Sequence, residues 1–537
     1  MSLTTLTQYW PFGHTLESMS KLDAGVHVLA TSLASHLLFR RFEPRSALSR
    51  VALLIVIPAL LSTPISYSVR SPYVAFPLAF ASYWSCLVFF TIVYRLSPFH
   101  PLAKYPGPAY FSATGDQHRC LKRLHDRYGD VVRIGPNELS ICDASLIHPV
   151  LGQGGLRKGP RTYRSLSILV GMAGLGPLLL LPSATQVKHL QQRKPWNRAF
   201  SSIALKEYEF IVAKRARQFI GCLENLVHGS NHREGVVLDV GKWLNYFTTD
   251  FMGDMAFGGG FELMKAGGDE DGIWTIIESG LHGKLRRAIA FGRGNVSKRL
   301  GVGASRKDLF YYLSGEELPE AERPSFEDIV QNGTLAIVAG SDTTSSVLTA
   351  IIYYLLLNPA AYERLQEEVD SAFPSGEEPL DTVKLSHLEW LNGCINEGLR
   401  LQPPVPSGSQ RSVDGVKVFG KLVMPEWTQL TLHTYSIHRD ARYFHTPEAF
   451  LPERWLSKGA PAGEHNPAAF FPFSYGPTIC AGKNLALMEM RMVLCWILRH
   501  FHLSSAPGVA YEEWEGKIQD WFVVHHEPLL VSVSLRE

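Results

Sequence analysis

Two long stretches near the start of the sequence carry no charged side chain, and they constrain the fold more than any other feature. Residues 51–69 read VALLIVIPALLSTPISYSV, and residues 74–94 read VAFPLAFASYWSCLVFFTIVY. Each approaches the ~20 apolar residues that an α-helix needs to cross a bilayer. An earlier stretch, residues 24–39, is shorter and contains His27 and His36, which leaves its crossing open. The sequence therefore predicts two or three transmembrane helices; the alternative is that one stretch is a buried core helix.

Positive charges beside these stretches predict their orientation. Arginines at positions 40, 41, 45 and 50 follow the first stretch, Arg95 and Lys104 follow the last, and Arg70 alone separates the two longer ones. Cytoplasmic loops are enriched in lysine and arginine, so everything after residue 95 is expected on the cytosolic side with either number of spans. We therefore predict a membrane anchor over residues 1–100 and a cytosolic domain over residues 101–537.

The composition of the chain argues against several classes of protein. With 537 residues and 46% hydrophobic side chains, it can bury a large core. A net charge of +2 gives no field that would attract nucleic acid, and we predict no nucleic-acid partner. Seven cysteines without a CxxC pair argue against a disulfide framework and against a structural zinc site. They suit a reducing compartment.

Residues 101–537 show mostly helical periodicity. From about residue 200 to 400, apolar side chains recur at helical spacing, with glycine and proline at the breaks. The segment DVVRIGPNELSI places β-formers on both sides of Gly135-Pro136-Asn137, which is the pattern of a hairpin. Strand-like pieces return at residues 416–423 and in the C-terminal tail. We predict a mainly α fold with a minor β portion and no linker that divides it into two domains.

A lone cysteine lies in the segment FSYGPTICAG, residues 473–482, directly before a strongly helical run. Gly476 and Gly482 allow close approaches that a Cβ would block. The Cys480 sulfur would face a helix N-terminus, where unpaired N–H groups and the helix dipole stabilise a thiolate, and Phe473 would form an apolar wall. Such a thiolate suits the single axial ligand of a large flat metal cofactor. The alternative is a buried cysteine that precedes a core helix.

This segment resembles the heme-ligand signature of the cytochrome P450 family, phenylalanine-x-x-glycine-x-arginine-x-cysteine-x-glycine. Phe473, Gly476, Cys480 and Gly482 match it, whereas Thr478 stands where the family usually has arginine or histidine for a heme propionate. The resemblance covers the chain from about residue 106 to its end. It implies a cytochrome P450 fold with N-terminal transmembrane helices, heme b as the cofactor and Cys480 as the ligand of its iron.

A second segment, AIVAGSDTTSS at residues 336–346, is unusual for a helix. Gly340 costs about 1 kcal/mol relative to alanine in a helix, and Asp342 places a carboxylate among apolar neighbours. Thr343 adds a hydroxyl that can bond back to a carbonyl and bend the helix. The segment resembles the oxygen-binding helix of the P450 family, which implies that Gly340 makes room for dioxygen and that Asp342 and Thr343 deliver protons. The alternative is an exposed helix edge.

Glu397 and Arg400 lie three positions apart in NEGLRLQPP, and Arg454 follows in FLPERW. An isolated pair at this spacing is usually a solvated surface feature. The order and spacing resemble the glutamate-x-x-arginine helix and the later proline-glutamate-arginine segment of the family. The resemblance implies that the three side chains form an ion-pair network with an architectural role.

Three more side chains are implied as partners of the heme propionates. His189 and Arg193 lie four positions apart on a predicted helix, and Arg411 follows the proline pair 403–404. Together they could supply the charge that Thr478 lacks. Basic helix faces are common, which leaves an ordinary surface role open for His189 and Arg193.

The resemblance implies a monooxygenase that hydroxylates or epoxidises an apolar small molecule with O2. Electrons would come from NADPH through NADPH-cytochrome P450 reductase in the same membrane. The location would be the endoplasmic reticulum, with the catalytic domain facing the cytosol. Similarity to fungal members favours secondary metabolism, such as terpenoid biosynthesis. Two alternatives stay open: a heme-thiolate enzyme that rearranges or dehydrates its substrate without O2, and a non-catalytic heme carrier or sensor.

Overall fold

The computed structural model describes residues 20–41, 51–108, 115–159, 193–229, 235–269, 272–273, 285–304, 306–374, 376–458, 463 and 465–536. These residues form two compact units that divide between Tyr105 and Pro106. The division falls at a proline-glycine-proline segment, residues 106–108, which cannot continue a helix.

The first unit is a bundle of three apolar helices, α1 (Lys21–Arg41), α2 (Ile57–Val69) and α3 (Pro72–Leu96). A π-helical turn, Ala52–Val56, leads into α2. Ala75 and Ala79 are fully buried, and such small side chains let helices approach closely. Most other apolar side chains of α3 point outward, as expected of helices surrounded by lipid.

Polar contacts join α1 to α3 inside this bundle. Ser32 Oγ donates to the carbonyl of Tyr83 at 3.3 Å, and a ring nitrogen of His36 lies 3.2 Å from Thr91 Oγ1. His36, one of the two histidines that left the crossing of this stretch open, therefore faces a neighbouring helix. By length and composition alone, α1, α2 with its π-helical turn, and α3 could each cross a membrane.

The second unit holds the remaining described helices. They are α4 (Gln117–Tyr128), α5 (Ile147–Leu151), α6 (Ser202–Gly229), α7 (Val240–Phe257), α8 (Leu263–Ala266), α9 (Leu285–Val302), α10 (Leu309–Ser314), α11 (Phe326–Leu357), α12 (Pro359–Ala372), α13 (Thr382–His387), α14 (Glu389–Leu401), α15 (Thr434–His438) and α16 (Lys483–His500). Residues 193–199 are also helical.

Four small sheets complete the second unit. The strands are β1 (Val131–Gly135), β2 (Glu138–Ile141), β3 (Arg157–Lys158), β4 (Val236–Asp239), β5 (Arg411–Ser412), β6 (Lys417–Phe419), β7 (Leu422–Met424), β8 (Gln429–Leu432), β9 (Phe501–Ser505), β10 (Gln519–Asp520), β11 (Val524–His525) and β12 (Leu530–Leu535). The largest sheet has the order β1-β2-β8-β5-β3, the next has β4-β12-β9, and β6-β7 and β10-β11 are isolated pairs. The predicted hairpin is the antiparallel pair β1–β2.

Helix α11 is the central element of the second unit. It begins at an N-cap, Ser325, whose Oγ accepts the Asp328 N–H at 3.2 Å, and the next helix starts with Pro359. Although α11 is long and apolar enough to cross a membrane, most of it is buried inside the unit. It packs against α7, α9, α14 and α16. The mainly α fold with a minor β portion that the sequence predicts is confirmed.

Candidate active site

The segment around Cys480 forms a tight loop that ends at the N-terminus of α16. The Cys480 N–H donates to the carbonyl of Phe473 at 2.9 Å and closes the loop. Gly476 has a φ of 68°, and a Cβ there would lie 2.4 Å from the carbonyl oxygen of Leu151 at the end of α5. Glycine alone tolerates both this conformation and this contact. At Gly482 a Cβ would meet nothing nearer than a phenylalanine ring at 3.8 Å.

The thiol of Cys480 is partly dehydrated by the protein around it. Cys480 is exposed, yet the surrounding protein removes enough water to raise the pKa of its thiol. The backbone N–H groups of Gly482 and Lys483 oppose this shift by favouring the thiolate, as do the positive charges of Arg193 and Lys158. Burial outweighs them, so the helix N-terminus alone does not ionise this thiol. A cation bound to the sulfur would.

Three cationic side chains lie beside this loop. Lys158 of β3 and Arg411 of β5 are directly opposite each other in an antiparallel pair, and Arg193 begins the helical run 193–199. Arg411 is buried and donates to Ser409 Oγ at 2.7 Å and to Thr478 Oγ1 at 2.8 Å. Burial, together with the charges of Arg411 and Arg193, lowers the pKa of Lys158 to about 8. Such a group of cations favours an anionic ligand.

This group contains two of the three predicted propionate partners, Arg193 and Arg411. The third, His189, lies outside the described residues. Lys158 was not predicted, because only the pairing of β3 with β5 brings it opposite Arg411. In the sequence, nothing about the dipeptide Arg157-Lys158 indicates that it lies beside Arg411.

Helix α11 is mostly buried, but the turn from Ala339 to Thr343 is partly accessible to solvent. Ala339 is exposed although it lies in the middle of α11, and Thr343, one turn later, is half-buried. Thr343 Oγ1 donates to the carbonyl of Ala339 at 2.6 Å, as expected of a threonine inside a helix. Asp342, the other predicted proton donor, is half-buried, and its carbonyl accepts the Ser346 hydroxyl at 2.6 Å.

Gly340 allows α7 and α11 to pack closely. A Cβ at this position would lie 2.5 Å from Sδ and 2.9 Å from Cε of Met252 on α7. The volume on this side of the glycine is therefore filled by protein, and the structure gives Gly340 a packing role. Room for dioxygen beside it stays a prediction.

Hydroxyl and amide groups form a polar seam between α7 and α11, close to Asp342 in the sequence. Asn245 Nδ2 donates to Ser345 Oγ at 3.4 Å, and Thr249 Oγ1 donates to Asn245 Oδ1 at 3.2 Å. Ser345 and Thr249 are both buried. Sequence reasoning missed this seam; the signal available was the run of serines and threonines on α11, but its partners on α7 could not be paired with it from spacing.

Glu397, Arg400 and Arg454 form one buried ion-pair network. Arg400 Nη2 and Nε donate to the two carboxylate oxygens of Glu397 at 2.7 and 2.9 Å, and Arg454 Nε donates to Oε1 at 3.0 Å. Trp455 Nε1 donates to Oε2 at 2.9 Å. Burial alone would raise the pKa of Glu397, but the hydrogen bonds and charges of the two arginines lower it. The network joins α14 to the segment that contains Arg454.

The fold is similar to that of a solved heme-binding protein. The crystal structure of the heme domain of cytochrome P450DA matches with a TM-score of 0.67 and 21% sequence identity, over 79% of this chain and 93% of that one. The second unit, with a lone cysteine in a tight loop before a core helix, therefore has the fold of a heme-thiolate protein.

Sequence comparisons define the family. The cytochrome P450 family model matches residues 273–533. Cytochrome P450 67 of Uromyces fabae is 32% identical over 90% of this chain and 95% of its own length. The cytochrome P450 monooxygenases astJ of Aspergillus oryzae and nodW of Hypoxylon pulicicidum are each 31% identical, over 81% and 83% of this chain and 94% and 86% of their own lengths. The chain belongs to the cytochrome P450 family and is a P450 monooxygenase.

The cofactor of this family is heme, and the residues present fit it. Cys480 offers an accessible sulfur to the iron, and the group of Lys158, Arg193 and Arg411 suits the two propionate carboxylates. Ala339 presents a small exposed surface on α11. A metal held by several protein side chains is not indicated, because the described residues contain no cluster of three or more histidine, cysteine, aspartate or glutamate side chains that could hold one.

Proposed function

We propose that this monooxygenase hydroxylates or epoxidises an apolar small molecule with O2, using electrons that NADPH-cytochrome P450 reductase supplies from NADPH. The observation that carries the proposal is the accessible sulfur of Cys480, set in a loop that only glycine at position 476 permits. A role in fungal secondary metabolism, such as terpenoid biosynthesis, is part of the same proposal. The relatives from fungi that are named cytochrome P450 monooxygenases support the reaction class.

Heme ligated by a cysteine thiolate supplies the activation of O2 and the transfer of one oxygen atom to carbon. Cys480 would be the ligand of its iron. The Gly482 and Lys483 N–H groups favour the anionic form of its sulfur, which is the form that binds a metal. Arg193 and Arg411 would balance the charge of the two propionate carboxylates of the heme.

Proton delivery falls to Thr343 and Asp342. The Thr343 hydroxyl is half-buried beside the exposed Ala339 and donates to its carbonyl at 2.6 Å, so it is anchored and still reachable. Asp342 adjoins it and can recharge it with protons. The buried hydroxyls of the polar seam hold this part of α11 against α7, which fixes where Asp342 lies.

The first unit supports a location in the endoplasmic reticulum membrane, with the second unit in the cytosol. Helices α1, α2 and α3 are long and apolar enough to cross a bilayer, and the arginines that flank them favour this orientation. A reductase moored in the same membrane would need a basic contact surface, and Lys483, half-buried at the start of α16, is a candidate contributor to it.

The test is the carbon monoxide difference spectrum of the reduced, detergent-solubilised protein, followed by assays of coupling. We expect a Soret band at the thiolate-ligated position, lost in Cys480→Ser but retained in the buried-cysteine control Cys495→Ser. With reductase and substrate, Thr343→Ala should consume O2 with about 10²-fold less product per O2, the lower end of the ~10²–10⁴-fold contribution of positioned proton transfer. A histidine-type Soret band would contradict the assignment of the ligand. Turnover without O2 consumption would favour the isomerase alternative.

A further inference from the structure

Thr478 carries no charge itself, but its hydroxyl binds the guanidinium group of Arg411. At this position of the heme-ligand signature the family usually has an arginine or histidine, and here the Thr478 hydroxyl accepts a hydrogen bond from Arg411 Nη2 at 2.8 Å. The other terminal nitrogen, Nη1, donates to Ser409 Oγ at 2.7 Å. Two hydroxyls therefore fix the direction of the buried Arg411 guanidinium, while the loop itself lacks the usual charge.

Lys158 lies directly across from this arginine. The register of β3 and β5 pairs Lys158 with Arg411 and Arg157 with Ser412. Like charges directly opposite each other in an antiparallel pair are destabilising. No hydrogen bond or ion pair reaches the Lys158 ammonium group in the described part of the chain. The arrangement is costly unless an anion lies between or beside the two cations.

The neighbouring cation on the same strand shows the contrast. Arg157 is exposed, points to the other face of β3 and pairs with Asp414 at 2.9 Å. Lys158 is half-buried and lies near enough to Cys480 for its charge, like that of Arg193, to lower the pKa of that thiol. Within the described residues, β3 thus carries one surface cation with an ion-pair partner, Arg157, and one half-buried cation without one, Lys158.

We propose that Lys158 supplies the positive charge that Thr478 lacks, so that Lys158 and the Thr478-anchored Arg411 together bind the propionate carboxylates of the heme. Compared with the usual family signature, the cysteine loop of this chain has one cation fewer, and the β3–β5 pair provides one in its place. The inference rests on the proposed function in one respect, namely that the chain binds heme.

The test measures how fast heme leaves the purified, full-length holoprotein when excess apomyoglobin captures it. We expect Lys158→Met to lose heme about 10- to 100-fold faster, as the loss of a hydrogen bond to a charged group implies. The matched control Arg157→Met removes a cation from the same strand and should leave the rate unchanged. Lys158→Arg, which keeps the charge, should retain most of the heme affinity.

A rescue distinguishes charge compensation from a structural role. The double variant Lys158→Met with Thr478→Arg returns the cation to the loop and should release heme at close to the wild-type rate. If Lys158→Met does not accumulate as folded protein, Lys158→Gln replaces it in the same pair. Heme loss from Lys158→Met no faster than from Arg157→Met overturns the proposal, and so does a double variant without recovery. A wild-type protein that contains no heme would overturn the proposed function itself.

Discussion

Single residues in this protein have roles that their neighbours define. Gly340 is the sharpest case, because its missing Cβ leaves the space that Met252 of α7 occupies. Gly221 in α6 is its opposite, since a Cβ there would meet nothing within 4 Å. Both glycines are inside helices and both lower helix propensity, yet the structure gives a packing reason for Gly340 and none for Gly221.

Gly340→Ala should lower the free energy of unfolding by about 1–3 kcal/mol, the usual cost of overpacking, although alanine is the better helix former. The control Gly221→Ala should raise it by up to about 1 kcal/mol. Denaturant unfolding of the solubilised holoprotein measures both changes. Combining Gly340→Ala with Met252→Ala should recover part of the loss, and a Gly340→Ala protein as stable as Gly221→Ala would contradict the packing role.

Elements are joined by buried charge as well as by apolar packing. Helix α14 contributes Glu397 and Arg400, and the segment at Arg454 contributes the third member of the network. Arg400 Nη1 also donates to the carbonyl of His438 at 2.8 Å, at the end of α15. The network therefore fixes three pieces of chain that are separated in sequence.

Glu397→Gln should cost about 3–5 kcal/mol of unfolding free energy, because it leaves two buried arginines without their counter-charge. Glu378→Gln is the matched control. Glu378 pairs with Arg217 at 2.6 Å on the surface, with side chains 45% and 43% exposed, and such pairs contribute about 1 kcal/mol or less. Denaturant titration of the two variants measures both changes in the free energy of unfolding. Equal decreases in Glu397→Gln and Glu378→Gln would argue against a structural network.

At the scale of the whole molecule, several histidines are buried in their neutral form. Burial lowers the pKa of His118 to about 4 and that of His438 to about 3, and it lowers the pKa of His433 strongly. His118 contacts the Tyr435 ring edge-on, with centroids 4.9 Å apart. These side chains lie on or next to α4 and α15, where the largest sheet meets the helices.

Stability should fall as the pH drops below about 6.5. The folded-state pKa values lie below the unfolded value of about 6.5, so the unfolded chain takes up protons first. Above pH 6.5 each such histidine is neutral in both states and does not lower the free energy of unfolding. Between pH 6.5 and its folded-state pKa, each one lowers that free energy by about 1.4 kcal/mol per pH unit. Burial raises the pKa of Asp308 to about 6. The folded chain therefore takes up this proton first, and Asp308 makes the fall in stability smaller below pH 6. Unfolding titrations at pH 7.5, 6.5 and 5.5 measure the slope, which should be smaller in His118→Gln; a flat profile would contradict the assignment.

Local patterns in the chain were sufficient to predict a mainly helical body, the apolar stretch of α11, the hairpin and the position of Cys480 before a helix. The apolar run of α11, the turn residues between β1 and β2, and the glycines around Cys480 act within a few positions of sequence. Contacts between residues distant in sequence could not be predicted from local patterns. The pairing of Glu397 with Arg454 was predicted from the family resemblance alone, and the position of Lys158 opposite Arg411 was not predicted.

The sequence by itself determined that two or three apolar helices precede a mainly α body, and that one cysteine stands directly before a helix, because periodicity and turn chemistry are local properties. Tertiary structure alone decided that Lys158 faces Arg411, that Met252 fills the space at Gly340 and that burial outweighs the helix dipole at Cys480. Strand register, interhelical packing and desolvation depend on residues distant in sequence, and no spacing rule encodes them.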